Sequence, residues 1–275
     1  MSFSINTNTG AMIALQNLNQ TSQSLAQVQN ELNTGLAVSS AKDNAAVFTI
    51  AQNLRSNVAG LSAVTQSINN ATGLADVASS AAQSVSDLLN QMMSKAVAAK
   101  DPGISTATRT ALNNDFTQLR DQITSIVNNA TFNGQNAVKN SGNKIVAITN
   151  SDGSQTITIS AQNLSLTGGN LGITAATTIT TSASASAVVA QLQTAITFVN
   201  GAMSKLGSGS NRLQMQLTFT QNLTDTIQTG IGNLVDANMA QASAQLQSLQ
   251  VKQQLGLQAL SIANQAPAAV VSLFR

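Results

Sequence analysis

The chain has 275 residues, of which 43% are hydrophobic and only 8% are charged, with a formal net charge of +2. Typical soluble domains carry about 25% charged residues, so uncharged polar residues take their place here and little repulsion opposes close packing of copies. The chain has no Cys and no His, which excludes disulfides, thiolate nucleophiles, the Ser-His-Asp triad and His- or Cys-ligated zinc. It also has no Trp or Tyr, so the aromatic side chains that often stack on nucleic-acid bases are missing.

The first predicted element is an amino-terminal helix. The residues before it lack the basic and apolar regions of a cleaved signal peptide, and nowhere do about 20 apolar residues follow one another, so no membrane span is predicted. Asn33-Thr34-Gly35 and the capping candidate Ser40-Ala41-Lys42-Asp43 predict a break after the helix. Its seam follows steps of four and three: Ala11, Leu15, Leu18, Ser22, Leu25, Gln29, Leu32 and Leu36.

A much longer helix is predicted next. Its seam keeps the same steps from Val47 to Ala99, and Asp101-Pro102-Gly103 then stops it. A third helix follows, with Ser105 or Thr106 as its cap, and the short connection predicts that it runs antiparallel to the second.

The pattern changes at Thr131. Asn133-Gly134 is a turn signal, and the stretches 144–149 and 155–160 alternate as two strands of a hairpin. A second pair of short strands is predicted over 164–174, followed by a connector to Ala187. This segment lies farthest in sequence from both ends, and we expect it to be exposed at the surface.

Helical periodicity resumes near Ala187 and continues to the end of the chain. Gly230 and Gly232 weaken the helix by about 1 kcal/mol each relative to Ala, just before the terminal seam begins at Val235. Beside that seam lies a second apolar set, and a helix that is apolar on two sides needs neighbours on two sides. This second set is Leu234, Val251, Leu255, Leu257 and Ile262.

Candidate chemical sites are weak. Asp101, Asp115, Asp121 and Asp152 lack the alternating acidic ligands and bidentate Glu of a calcium loop, and solvated helix ends and a turn explain them better. Gly168-Gly169-Asn170 and Gly207-Ser208-Gly209-Ser210 lack the terminal Gly-Lys-Ser or Gly-Lys-Thr of a phosphate loop, and a turn or helix interruption explains them. The sequence predicts no enzyme, catalytic residue, cofactor or metal.

The expected fold is mainly α: an elongated antiparallel coiled-coil or helical bundle with its first and last helices paired, plus a small central β-hairpin region. Pairing the two ends places both termini side by side. The predicted divisions are paired terminal helices (1–33 and 236–275), hinge segments (34–46 and 230–235), a helical body (47–130 and 187–229) and the central hairpins with their connector (131–186).

Several ordered motifs are similar to those of bacterial flagellins. Most of the chain outside about 131–187 carries this resemblance. The motifs are Ile5-Asn6-Thr7-Asn8, Leu32-Asn33-Thr34-Gly35, Ser39-Ser40-Ala41-Lys42-Asp43-Asn44-Ala45-Ala46, Ala130-Thr131-Phe132-Asn133-Gly134, Asn211-Arg212-Leu213, Asn233-Leu234-Val235-Asp236-Ala237-Asn238-Met239-Ala240 and Leu273-Phe274-Arg275.

The resemblance implies an extracellular subunit that polymerises with itself, or with paralogous flagellins, into a filament for swimming motility. It implies export by the flagellar type III apparatus, an export chaperone, and contact with junction and cap proteins. The terminal helices would form an inner tube around a channel and the long helices an outer tube. Hinges are expected at Gly35, Gly230 and Gly232. The residues expected to carry self-assembly are Leu15, Leu18, Leu25, Leu32, Val235, Met239, Leu246, Leu249, Leu260, Val270 and Phe274.

Several positions depart from the pattern that the resemblance leads us to expect, among them Gln91, Ser94 and Lys95 on the first long helix. Asn44 and Asn238 stand where many flagellins have aspartate, so salt bridges at these positions are in question. Two alternatives stay open at this point: a hook-filament junction protein of the same apparatus, and an unrelated coiled-coil adhesin.

Overall fold

The computed structural model describes residues 7–166 and 170–272, with side chains described as far as Gln265 at the carboxyl end. The mainly α fold with a small β-hairpin is confirmed. The chain divides into a terminal unit (Met1–Ser56 with Thr226–Arg275) and a central unit (Asn57–Asp225). The elements are α1 (Thr9–Thr34), α2 (Ala45–Lys100), α3 (Thr106–Asn129), β1 (Ile145–Ile148), β2 (Thr156–Ile159), α4 (Ser182–Val235) and α5 (Met239–Ser272).

The core of the central unit is built on the seam of α2. Every predicted seam position from Leu61 to Ala99 is buried, and many of them are Ala, which lets neighbouring backbones approach closely. The predicted seam of α4 supplies Leu192, Leu206 and Leu213, all without solvent exposure. The heptad pattern therefore predicted this core correctly, because a buried seam must keep facing its partner along the whole helix.

Polar contacts at the helix ends place the starts of α3 and α4 beside the end of α2, so α3 and α4 both run antiparallel to α2. Arg109 near the start of α3 donates from Nε to the carbonyl of Ala99 (3.0 Å) and from Nη2 to that of Asp101 (2.9 Å). Ser182, the first residue of α4, donates to the carbonyl of Lys100 at 2.6 Å. These bonds satisfy carbonyls that a helix end leaves without partners. Of the two predicted caps of α3, Ser105 is the one used, and its Oγ accepts from Thr108 N.

The central segment contains one antiparallel hairpin, in which Ile145 pairs with Ile159 and Ile148 with Thr156. This hairpin and the Asn133-Gly134 turn, where both residues have positive φ (47° and 74°), are confirmed. The second predicted strand pair is wrong, because the described residues on either side of 167–169 form no strand. That stretch instead buries apolar side chains in irregular backbone: Leu164, Leu166, Leu171 and Ile173.

The connector before α4 is shorter than predicted and is held by α3. The helix begins at Ser182 rather than near Ala187. The Asn113 side chain accepts a hydrogen bond from Ile179 N at 2.8 Å, and Ile179 is fully buried. This Ser-, Thr- and Ala-rich tract is therefore part of the folded unit.

Residues of the central segment pack closely against three glycines of the long helices. A Cβ at Gly209 would lie 2.5 Å from Ile159 Cδ1, one at Gly73 would lie 2.7 Å from Phe132 Cζ, and one at Gly60 would lie 2.8 Å from Ser151 Cβ. Real Cβ atoms do not approach this closely, so each glycine provides the space that its neighbour fills. The predicted interruption at Gly207-Ser208-Gly209-Ser210 is wrong, because α4 continues through it.

Candidate assembly surface

The first and last helices form an antiparallel pair within the terminal unit. Asn8 caps α1 by accepting from Ala11 N at 3.0 Å, and its Nδ2 donates to the carbonyl of Ala263 in α5 at 2.7 Å. Further along, Gly256 of α5 faces Leu18 so closely that an added Cβ would lie 3.2 Å from Leu18 Cδ1. The numbering rises along one helix while it falls along the other, so the predicted pairing of the two ends is confirmed.

The seam of α1 differs from the predicted one at every second position. Leu18, Leu25 and Leu32 are covered as expected, but Leu15 is 48% exposed. At every second step the seven-residue repeat fits either of two adjacent residues, here Ala14 or Leu15. Leu15 was predicted because it is the more hydrophobic of the two, but Ala14 is the covered one. The covered set is Ala11, Ala14, Leu18, Thr21, Leu25, Val28 and Leu32.

The seam of α5 agrees with the prediction over most of its length, and we call it the inner α5 seam. Val235 is buried but belongs to the end of α4, and Met239 is 45% exposed. The Val270 side chain and all of Phe274 lie outside the described residues, so their assembly role stays a prediction. The inner α5 seam is Ala242, Leu246, Leu249, Gln253, Gly256, Leu260 and Ala263, all buried or half-buried.

This two-helix contact covers its own seams only in part. Val28 is the one buried residue of α1, at 7% exposure, and Ala242 is the one buried residue of α5 as far as Gln265, at 3%. In the central unit, by contrast, the seam residues are close to zero exposure. A pair of helices cannot surround either member, so the leucines of the terminal unit keep half-open surfaces that further helices would cover.

Opposite the inner seam, α5 carries a second heptad, which we call the outer α5 seam. It is displaced by two residues from the inner one, which is about 200° of rotation on an α-helix. Val251, Leu255 and Ile262 lie on it and are 54%, 59% and 64% exposed. These three belong to the second apolar set predicted from sequence, and the other two members, Leu234 and Leu257, are also exposed. The outer α5 seam is Ala244, Ser248, Val251, Leu255, Gln258 and Ile262.

The corresponding outward side of α1 has a different chemistry. Displaced by two residues from the covered set, it begins with Ile13, which is 59% exposed, and continues as a row of exposed amide side chains, which we call the α1 amide face. The pair therefore has one apolar and one amide-rich outer side. The α1 amide face is Gln16, Gln20, Gln23, Gln27 and Asn30.

Charge contributes little to the helix pair. Glu31 is the only charged residue of α1 and Lys252 the only one of α5, and both line a cavity of about 360 Å³ between the helices. The ion pairs found among the described residues lie elsewhere: Lys95 with Asp115 at 2.8 Å, and Arg120 with Asp121 at 3.1 Å. Apolar packing thus dominates this surface.

The two breaks beside the helix pair are joined by backbone hydrogen bonds. Gly35 ends α1 with φ of 71°, and its carbonyl accepts from Ala237 N at 2.9 Å. Ala37 N donates to the carbonyl of Val235 at 2.7 Å, and Leu36 forms an antiparallel bridge with Asp236. Sequence reasoning found both breaks but not their pairing, because backbone bonds leave no side-chain signal.

The position of the second break differs from the predicted one. Gly230 and Gly232 lie inside α4, which continues to Val235, and the interruption falls between Val235 and Met239. About 1 kcal/mol per glycine is too little to end a helix that is extended on both sides. The hinge role of Gly35, Gly230 and Gly232 stays a prediction.

Both unexpected asparagines are helix caps. Asn44 Oδ1 accepts from Val47 N at the start of α2 (3.1 Å), and Asn238 Oδ1 accepts from Gln241 N at the start of α5 (3.2 Å). Asn caps a helix about as well as Asp, so neither position needs a salt bridge. Ser40 was predicted as the cap, but it lies before the helix and donates from its N to Asp43 at 2.9 Å.

Asp43 organises the turn that leads into α2. Its Oδ2 accepts from the backbone N–H of Ser40 and the hydroxyl of Ser39, and also from Ser40 Oγ and Ser39 N. These bonds favour the carboxylate, and they lower the pKa of Asp43 below its ordinary value, with the Ser40 backbone bond contributing most.

The other acidic candidates have structural partners. Asp101 accepts from Gly103 N, while Asp115 and Asp121 form the ion pairs given above. Asp152 accepts from Ser154 N, which lowers the pKa of Asp152. Within residues 7–166 and 170–272, no three or more Asp or Glu side chains come together in a way that would hold a metal ion.

Among the described residues, one helix, α4, is long and apolar enough to cross a membrane by length and composition alone. A single such helix is a weak indication, because helices that contribute to a protein core meet the same test. The predicted absence of a membrane span therefore rests on the sequence argument.

The family models and the most similar relatives all point to the same protein family. Residues 5–143 match the bacterial flagellin N-terminal helical region and residues 189–274 the C-terminal helical region. Flagellin FljM of Caulobacter vibrioides is 46% identical over 99% of this chain and 98% of its own length. FljN of the same organism is 47% identical with the same coverage, and a Brucella melitensis flagellin is 34% identical over 99% of each chain.

Solved structures agree with this family. Bacillus cereus flagellin aligns over 56% of this chain and 88% of its own, with 26% identity and a TM-score of 0.51. A putative flagellar hook-associated protein from Vibrio parahaemolyticus aligns over 70% of this chain and all of its own, with a TM-score of 0.57. Its 17% identity shows a shared fold alone. The chain belongs to the bacterial flagellin family, as a structural subunit that polymerises into the extracellular flagellar filament for motility.

Proposed function

We propose that copies of this chain join through the terminal unit, with the outer α5 seam packed against a helix of a neighbouring copy. The observation that carries the proposal is the second heptad of α5: Val251, Leu255 and Ile262 are more than half exposed although the opposite side of the helix is already paired with α1. A heptad specifies a helical partner, and an exposed apolar row marks an interaction surface.

In this proposal the paired terminal helices form the inner tube of the filament, and the long helices α2 and α4 form the tube around it. The uncharged α1 amide face and the near absence of charge on both helices support dense packing around a channel, because few ions need to be desolvated. The central hairpin segment is then the part that faces outward.

We further propose that the subunit travels through the flagellar export apparatus with an export chaperone, and meets the junction and cap proteins at the filament. The exposed apolar rows of the terminal unit support a chaperone, since they would associate prematurely if left uncovered. Several similar flagellins occur in Caulobacter vibrioides, which supports filaments containing more than one flagellin.

The test is a substitution that alters the outer seam without touching the helix pair. Leu255→Ser removes an apolar side chain that is 59% exposed in the subunit, so the subunit should fold normally. Full burial of a leucine contributes about 1.5–3 kcal/mol, and about 1.4 kcal/mol is a factor of ten in an equilibrium constant. Because only the exposed 59% of Leu255 remains to be buried on assembly, we expect the critical concentration for filament growth to rise roughly 4- to 20-fold.

The matched control is Gln254→Ser, which changes the adjacent exposed residue on the same helix. Sedimentation of filaments at several subunit concentrations gives the critical concentration, and circular dichroism checks that both variants remain folded. Equal critical concentrations for the two folded variants would remove the outer seam from the interface.

A further inference from the structure

The central unit exposes one aromatic ring. The chain has seven Phe and no Trp or Tyr. Among the described residues, Phe219 is the aromatic side chain found with the exposed large hydrophobics, at 58%, and Met215 one turn earlier is 65% exposed. Residues four apart on a helix are neighbours, so these two form one protrusion on α4, which we call the Phe219 knob.

A pocket in the same unit lies on other elements. It has a volume of about 270 Å³. Apolar residues such as Leu74 of α2, Phe132 and Val146 of β1 line it together with the amides Asn70, Asn133 and Gln135. A cavity of about 150 Å³ lined by apolar side chains is large enough to hold a benzene ring. Val146 is 49% exposed, so part of the apolar lining is open to solvent.

Lys144 gives this pocket a preference for an aromatic occupant. Lys144 lines the pocket, and neither ion pair of the described residues includes it. An ammonium group is attracted to the face of an aromatic ring, by about 0.5–1 kcal/mol at exposed sites and more when water is excluded. The complementarity is therefore electrostatic as well as steric, and we call this the Lys144 pocket.

We propose that the Phe219 knob of one copy inserts into the Lys144 pocket of a neighbouring copy in the filament. The two surfaces belong to different elements, so the contact is heterologous, and a heterologous contact that does not close generates an open-ended polymer. The proposal rests on the filament function of the chain and adds a specific contact in the central unit. It is independent of the outer α5 seam.

Cross-linking tests the contact directly, because the chain has no cysteine of its own. Phe219→Cys and Val146→Cys subunits of different mass are mixed, polymerised and oxidised. The control mixture replaces Phe219→Cys with Val97→Cys, which is also an exposed apolar position of the central unit, at 53%. We expect heterodimers several-fold more abundant in the first mixture, and only in the sedimented filaments. Equal yields from the two mixtures, or no heterodimer in the first, would overturn the proposal.

Assembly measurements provide a second test that does not depend on cysteines. Phe219→Ala should raise the critical concentration about tenfold, and Lys144→Gln less, with an unchanged melting temperature for both. The double variant should show less than the product of the two effects, since the residues act on each other. Multiplicative effects would mean that the residues do not meet. Failure of wild-type protein to form filaments would count against the filament function instead.

Discussion

Gly207 and Gly209 lie two residues apart in α4, and replacing each by Ala should have opposite effects on stability. A Cβ at Gly207 meets no atom within 4 Å, so Gly207→Ala should stabilise the central unit by about 1 kcal/mol through helix propensity. A Cβ at Gly209 would lie 2.5, 2.7 and 3.1 Å from three side-chain atoms of Ile159.

Ile159 cannot easily move away from an added methyl group. It is 6% exposed, and its β-branched side chain is restricted at χ1. Overpacking of this kind costs about 1–3 kcal/mol, which cancels or exceeds the propensity gain of about 1 kcal/mol. Gly209→Ala should therefore be less stable than Gly207→Ala by roughly 1–3 kcal/mol.

Urea denaturation followed by circular dichroism measures the free energy of unfolding of both variants. In an Ile159→Ala background, Gly209→Ala should cost less than it does in the wild type, because the smaller side chain leaves room for the new methyl group. Equal stabilisation by the two alanine variants would refute the assignment of Gly209 as a packing site for the hairpin.

Three further substitutions have defined outcomes. Thr220 Oγ1 is buried without a hydrogen-bond partner among the described residues, so Thr220→Val should stabilise by about 1–3 kcal/mol, measured by urea denaturation. Arg109→Ala removes the donor of two hydrogen bonds to helix-end carbonyls, so it should destabilise the protein. The loss, measured in the same assay, should be no more than about 1.5–3 kcal/mol for each bond. The lowered pKa of Asp43 means that its contribution is fully present above the unfolded-state pKa, about 3.9, and is lost as pH falls through the folded-state value. The melting-temperature difference between wild type and Asp43→Ala should therefore be constant from neutral pH to about pH 5 and shrink under acid, and a pH-independent difference would contradict the assignment.

The long seams could be predicted from sequence because a single physical requirement fixes them. From Leu61 to Ala99 the seam of α2 must keep facing the same partners, so a repeat of seven residues is visible in the chain itself. The outer side of α5 was visible for the same reason: Val251 and Leu255 are apolar where a singly paired helix would be polar.

Features that depend on contacts between distant segments could not be predicted in this way. From sequence alone Gly209 looks like a helix-breaking residue. Its actual role, leaving space for Ile159, depends on a contact with a residue 50 positions away. Val28 instead of Gln29 covers the α1 seam because of the rotation of α1 against α5, which the repeat alone leaves undetermined. The bond from Ala237 N to the carbonyl of Gly35 involves backbone atoms only.

Electron cryomicroscopy of filaments assembled from the purified chain tests the central claim most directly. At side-chain resolution, Val251, Leu255 and Ile262 should be buried against a helix of a neighbouring copy, while Leu249 and Leu260 on the inner seam remain packed on α1 of the same chain. A filament in which the outer α5 seam faces water would contradict the account.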